Sequence, residues 1–426
     1  MTDTVAQAKG KLEYHVPKQY TEDRPAFIMT HAKHHQSIHE HPLACRLPRT
    51  TNQPTVFGER NKSFIPLITN GDEPKKLEDW IYTDRPPLSV HVVSFTDAIL
   101  MTLTFSHTFI DAVGRQSLLA AWTAVLNGRE EQVPPFVGYH EDPIIKLDGR
   151  TPGQKFALYD KTLSGFAFFK LVASVIWENV RYPETEDRTF CLPSQFVQDL
   201  RKQAMDDIAK TGDNFVSEGD VLFAWWAKTA SKAYGFPSYQ RINLVNVTNM
   251  RGVVDDVLPP DKAFIHNAAT ATNTWLRVAD VMGENLGQTA LRIRHSLLEQ
   301  RSQEQMQAYI SHYVQSLKTT GRTPMYGYPD EVRFFFSNWH KARFFDVDFS
   351  GAVTRTGLPL EQRANKIGRP SYINVTGYEN GFTIRNGGPV IGKDAAGNWW
   401  LSWVMRKEAW SAVEKIFEDM ARSENV

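Results

Sequence analysis

The sequence predicts a mixed-sheet α/β protein, and three observations carry that prediction. Segments of period-2 and period-3.6 hydrophobicity interleave along the chain without the strict strand–helix repeat of a doubly wound fold or barrel. A chain of 426 residues with 42% hydrophobic content has ample core for two domains or one large one. No internal repeat is visible at the sequence level.

Taken in order, residues 1–80 are polar and turn-rich, with few periodic runs. They hold one oddity, THAKHHQSIHEHPLAC, which gathers His31, His34, His35, His39 and His41 near Cys45. Imidazoles and a thiolate are common zinc ligands, but these spacings match no zinc pattern, so a solvated histidine-rich loop is expected and no metal site. Leu88–Phe95 and Ile99–Ser106, joined by Thr96-Asp97-Ala98, read as a β-hairpin. A helix follows up to Gly128, a left-handed cap position, with Leu118, Trp122 and Leu126 on one side. Residues 129–155 are rich in Pro, Gly and charge and read as a long loop. Phe156–Val180 is mostly helical and apolar, and the charged, proline-containing Arg181–Thr189 begins an interdomain connection.

In the second half, Ser194 is placed to cap a helix whose inner stripe is Phe196, Val197, Leu200, Ala204 and Ile208, closed by Thr211-Gly212-Asp213-Asn214. Ser217 and Asp220 form a capping-box pair, with Val216 and Val221 as a hydrophobic staple, for a helix ending near Gly235. Strands fit Arg241–Val247, Phe264–Thr274 and Val332–Ser337, and helices fit Leu286–Leu298 and Met306–Leu317. A hairpin around Gly387–Trp403 precedes a helix over Lys407–Arg422.

Composition narrows the function classes. Lys plus Arg number 48, as do Asp plus Glu, so no global field draws nucleic acid or an acidic membrane. The two cysteines, Cys45 and Cys191, give neither a disulfide framework nor a zinc pattern. The N-terminus lacks an apolar signal core and no run reaches the length of a membrane span. A cytoplasmic protein is expected.

The most informative stretch is ILMTLTFSHTFIDAVGRQSLLAAWTAVLNG, from Ile99 to Gly128. Met101, Leu103, Phe105 and His107 share one face of the strand, so His107 continues an apolar face where the strand ends. Asp111 follows four residues on, and Gly114 lets the backbone turn into the helix. A neutral imidazole at a partly buried strand end suits a general base. Among thirteen histidines, only His107 has an aspartate at i+4. The spacing alone is weak, since about one such match per chain arises by chance.

Context makes it specific. The strand–H-x-x-x-D-x-x-G–helix arrangement resembles the CoA-dependent acyltransferases called the BAHD family, in its fungal branch. FVSEGDVLFAWWAKTASKA, INLVNVTNMRGVVDDVLPPDKAFIHNAA, FFFSNWHKARFFDVDFSGAV and PVIGKDAAGNWWLSWVMRKEAWSAVEKI are similar to further family segments, in the family's order. Together they cover roughly residues 86–425, while the first 80 residues match poorly.

The resemblance implies two chloramphenicol acetyltransferase-like mixed-sheet domains with an active-site channel between them. Residues 1–180 would form the N-terminal domain carrying H-x-x-x-D, residues 181–215 the crossover, and residues 216–426 the C-terminal domain, part of which returns to the first. Acyl-CoA would enter as co-substrate, with no permanently bound cofactor, and the partner would be a small-molecule alcohol, a secondary metabolite, met by a monomer. His107 would be the base. Asp111 would either polarise His107 or hold its loop through an arginine; the resemblance implies the second, with Arg251 as the arginine. Trp339 and Ser337 match residues near the reacting carbonyl, where an indole N–H or a hydroxyl suits an oxyanion. Asp348-Phe349-Ser350-Gly351-Ala352 is the DFGWG counterpart, changed from its third position on, and implies a support role for Asp348. The alternatives are a non-catalytic metabolite-binding relative and a condensation-type enzyme, the latter opposed by Ser106 where a second histidine is usual.

Overall fold

Two main sheets organise the chain, beside a two-stranded ribbon of Val5–Ala8 and Lys11–Tyr14. The computed structural model describes residues 5–423 apart from 9–10, 213, 356, 358, 364 and 378–384. Its strands are β1 (Val5–Ala8), β2 (Lys11–Tyr14), β3 (Ile28–Lys33), β4 (Thr55–Arg60), β5 (Leu88–Ser94), β6 (Ile99–Phe105), β7 (Thr185–Leu192), β8 (Arg241–Asn249), β9 (Ala269–Arg277), β10 (Val332–Asn338), β11 (Gly387–Lys393) and β12 (Trp399–Arg406). Its helices are α1 (Ile65–Ile68), α2 (Glu78–Ile81), α3 (Ala112–Leu126), α4 (Gly165–Arg181), α5 (Ser194–Ile208), α6 (Glu218–Tyr234), α7 (Val278–Gly283), α8 (Leu286–Gln300), α9 (Gln303–Thr320) and α10 (Lys407–Ser423).

The large sheet has the order β4-β7-β12-β11-β10-β8-β9. Its β11–β10 and β10–β8 pairs are parallel and the rest antiparallel. The small sheet, β3-β5-β6, pairs β3 with β5 in parallel and closes β5–β6 as the expected hairpin. A mixed-sheet α/β architecture is therefore what forms.

The near-continuous apolar run of β12 follows from burial on both faces. Trp399, Leu401 and Trp403 join the main core with Phe190, Trp226, Phe334 and Trp410, contributed by other strands and by α6 and α10. Trp400 points the other way, into a second cluster with Cys191, Phe345 and Ile391. The α6 capping box forms in both halves, Ser217 with Asp220, and the helix ends on left-handed Gly235.

Several boundaries differ from expectation, each for a local reason. The charged stretch Arg181–Thr189 is mostly strand: β7 starts at Thr185 and pairs with β12. Its Arg188 is accommodated by ion pairs to Glu186 and Glu414 and by stacking over Trp410. Ser194 is the first residue of α5 rather than its cap, because Pro193 takes the cap position. Asp213, in the expected stop after α5, lies outside the described residues. In α3 the fully buried residues are Gly114, Leu119, Thr123 and Ala124, while Leu118, Trp122 and Leu126 are half-buried. The stripe is wider than the apolar side chains alone suggest, and a threonine sits in it by bonding back to the Leu119 carbonyl. β9 begins at Ala269, five residues late; residues 264–268 serve the site instead. Among the described residues no helix is long and apolar enough to cross a membrane.

Candidate functional site

The site is built where β6 hands over to α3. β6 ends at Phe105, and Ser106–Ile110 form a turn held by side-chain bonds: Thr108 Oγ1 lies 2.8 Å from Ser106 Oγ and 3.0 Å from Tyr14 Oη. Asp111 caps α3, its Oδ1 accepting from the Gly114 amide at 2.7 Å. Its Oδ2 accepts from the Ala268 amide at 2.9 Å and from Arg251 Nη1 at 3.0 Å.

Arg251 spends all five of its N–H groups. Nη1 reaches Asp111 and, at 3.0 Å, Asn249 Oδ1. Nε and Nη2 both reach the Phe264 carbonyl, at 3.0 and 2.8 Å, and Nη2 also reaches the His266 carbonyl at 2.6 Å. The side chains of this pair are only 14% and 9% exposed. A planar, always-charged fork is the group that suits such a junction. In the 264–268 segment the Phe264 and His266 carbonyls are taken by Arg251 and the Ala268 amide by Asp111, groups that a strand would have given to a ladder.

Gly114 is required for a reason other than the turn expected of it. It lies inside α3, and a Cβ there would sit 1.8 Å from the Ile265 carbonyl oxygen. The glycine lets α3 and the 264–268 segment touch backbone to backbone. From the far side, Asn267 Nδ2 donates to the His107 carbonyl at 2.7 Å, and His266 Nδ1 lies 2.9 Å from the Phe109 carbonyl oxygen.

His107 itself is exposed, not partly buried, and sits in the turn two residues past the strand end. Its backbone is clamped while its imidazole makes no hydrogen bond among the described residues. Asp111 is committed to Gly114, Ala268 and Arg251, so it does not orient that ring directly.

Trp339 and Ser337, at the end of β10, form a pair: the indole N–H donates to Ser337 Oγ at 2.8 Å. That bond occupies the indole donor and leaves the serine its own proton to give. Trp339 packs against the cluster of Leu119, Ala342 and Phe344, which Leu103 of β6 and Ala112 of α3 also join. Asp348 lies elsewhere. Its carbonyl accepts from Asn127, the C-cap of α3, at 2.9 Å, and its Oδ1 accepts from the Ser350 amide at 3.0 Å. Bonding to Ser350 holds its carboxyl below the usual range. Fifteen helical residues separate the two ends of α3, about 22 Å, so Asp348 braces the end remote from His107.

Sequence reasoning missed Arg115, in the first turn of α3. Its guanidinium stands 4.6, 4.8 and 5.6 Å from the ring centres of Phe344, Trp339 and Phe105. Burial pulls its pKa down to about 10, an effect partly offset by the charge of Asp111. It stays protonated at neutral pH. A cation in a helix's first turn runs against the helix dipole, and that mismatch was its signal in the sequence. Asn249 and Asn267 were missed as well; Asn249 accepts from the Arg251 amide and guanidinium two residues on, whereas Asn267 bonds a carbonyl 160 positions away, which no local pattern reveals.

The histidine-rich stretch is partly strand. His31, His34 and His41 join His91 in lining a cavity of about 560 Å³ against the small sheet. Among the described residues no group of three or more His, Cys, Asp or Glu side chains is arranged to hold a metal ion.

The family model described as Transferase family matches residues 64–352. Acetyltransferase adrJ of Penicillium rubens (strain ATCC 28089 / DSM 1075 / NRRL 1951 / Wisconsin 54-1255) is 40% identical, over 97% of this chain and 84% of its own. A protein of Penicillium decumbens named transcriptional regulator calD is 37% identical, over 95% and 83%. Among solved structures, F. sporotrichioides TRI101 complexed with coenzyme A and T-2 superposes with a TM-score of 0.67 at 15% identity, covering 94% of this chain and 80% of that one.

Proposed function

This chain belongs to the Transferase family, the BAHD acyltransferase type with the chloramphenicol acetyltransferase-like fold, and we propose that it moves an acyl group from acyl-CoA to a hydroxyl of a small-molecule acceptor. The observation that carries this reading is the clamp around His107. Asp111, Arg251, Gly114 and Asn267 fix the backbone of the turn while the imidazole stays unencumbered. That is what a base working on an incoming substrate needs: a fixed origin and a free ring.

In this mechanism His107 takes the acceptor's hydroxyl proton as the oxygen attacks the thioester carbonyl. The carbonyl oxygen becomes an oxyanion, and Ser337 donates to it while Trp339 N–H holds the serine oxygen in place. Collapse breaks the C–S bond, and the imidazolium returns the proton to the departing CoA thiolate. No acyl-enzyme forms. Cys191 is buried with its thiol pushed up to about 12, which argues against a thiolate nucleophile there. Arg251 and Asp111 hold the loop, Gly114 permits the contact, and Asp348 braces the far end of α3.

The test is a thiol-release screen of acyl-CoAs against alcohol acceptors. His107→Ala should fold normally and lose about 100- to 10,000-fold in turnover. Initial-rate plots should intersect, and acyl-CoA alone should leave the protein mass unchanged. Parallel lines, or an acyl increment on the protein, would replace direct attack with a covalent route. A second reading, a metabolite-binding protein without chemistry, draws on the regulator name carried by one relative. It predicts acceptor binding with no thiol release from any acyl-CoA.

A further inference from the structure

Helix α4, GFAFFKLVASVIWENVR, turns its apolar side outward. Phe166, Phe169, Trp177 and Val180 are 82%, 71%, 68% and 67% exposed, and Leu171 is the helix's one fully buried residue. At about 100° per residue, Phe166, Phe169, Ala173, Ile176, Trp177 and Val180 fall within an arc of roughly 100°, and Leu171 lies close to its opposite pole. The stripe is therefore a true second face, pointed away from the protein, and it is about 21 Å long.

Its chemistry separates the candidate occupants. The aromatic members are one Trp and two Phe, with aliphatic residues between them, the mixture that seats at a lipid headgroup boundary. Exposed Lys170 and Arg181 flank one edge of the stripe. The single acid of the helix, Glu178, lies off the stripe and is engaged by Arg385 and Arg406, at 3.8 and 3.6 Å. A further cation, Arg322, is stacked over Phe168 beside the helix. The rim is thus positive on a chain of zero formal net charge. A second copy is a poor fit: a strip about 21 by 10 Å is far below the ~800 Å² per partner of a stable interface.

We propose that α4 is a membrane-surface helix, docking its Phe166–Val180 stripe onto an anionic lipid bilayer with Lys170 and Arg181 against the headgroups. It lies in the interface plane and does not span. The inference is independent of the acyl-transfer reading, since α4 shares no residue with the His107 site.

The experiment is co-sedimentation of the full chain with vesicles of phosphatidylcholine mixed with phosphatidylserine, and with vesicles of phosphatidylcholine alone. The wild-type chain should pellet with the mixed vesicles, bind the neutral ones more weakly, and lose that difference as salt is raised. Phe169→Glu with Trp177→Glu should weaken binding about tenfold or more, with an unchanged circular dichroism spectrum. Lys170→Glu with Arg181→Glu should abolish the preference for phosphatidylserine. Failure of the wild type to bind either vesicle overturns the proposal, as does unaltered binding by the Phe169/Trp177 variant. A concentration-dependent dimer that this variant disperses, without vesicle binding by the wild type, would assign the face to self-association instead.

Discussion

Replacing Asp111 by Asn tests the clamp with the least change in shape. The carboxylate now accepts from two amides and from Arg251. The carboxamide keeps one acceptor oxygen and turns an NH2 toward groups that are themselves donors. Arg251 is then left with a charge that is only 14% exposed, so little solvent screening rescues it. Breaking such a pair by removing one partner costs about 3–5 kcal/mol, a fall in Tm on the order of 3–6 °C for a chain of this size. Arg251→Gln should cost more, because the Phe264 and His266 carbonyls lose their donors too. The double variant should be no worse than Arg251→Gln alone. Urea and thermal melts of the four proteins complete the cycle, with thiol release as the functional readout. Additivity to within about 0.5 kcal/mol would refute the clamp, since partners in contact must couple.

Further outcomes follow from the same geometry. Ser337→Ala should lower kcat by about 100- to 1,000-fold with little change in KM or Tm. Trp339→Phe, which keeps the hydroxyl and loses only its anchor, should do less harm; equal losses would mean the indole itself is the donor. Gly114→Ala reverses the usual helix rule, which favours alanine by about 1 kcal/mol. With its Cβ 1.8 Å from a carbonyl oxygen, it should destabilise by about 1–3 kcal/mol or more and depress turnover; an unchanged melt would refute the close contact. The pH dependence of stability has a definite sign. Burial lowers the pKa of His41, His91, His312 and His340, so the unfolded chain takes up protons first as pH falls. Stability should hold above about pH 7 and decline below about 6.5, and His91→Gln should flatten the decline.

Much of this was legible because local chemistry and tertiary context agreed. The Ser217–Asp220 box, the β5–β6 hairpin, the helices α8 to α10 and the H-x-x-x-D turn each satisfy their own backbone within a few residues. The first strands of the large and small sheets were not. THAK in β3 and VFGER in β4 carry charge or glycine and are stabilised by pairing with β5 and β7, which sequence position does not reveal. Arg251 could be named only through a resemblance, because its carboxylate partner is 140 positions away. Residues 264–268 read as strand by composition, yet the Phe264 and His266 carbonyls and the Ala268 amide bond to the side chains of Arg251 and Asp111. The indole of Trp339 read as an open donor, and the structure spends it on Ser337.

The position of β4 bears on how the chain is made. Asn61, immediately after that strand, is fully buried and bonds to Ser402 across 341 positions of sequence. β12, which carries Ser402, lies between β7 and β11. A ribosome therefore releases the edge of this sheet long before its centre exists. Until β12 emerges, β4 has no finished sheet to join, and β7 offers an open, apolar edge. Folding of the large sheet is consequently a post-translational event, dominated by long-range closure and slow for its size. A break in the reading frame anywhere before Trp399 would do more than shorten the protein: it would remove the strand on which both halves of the sheet depend.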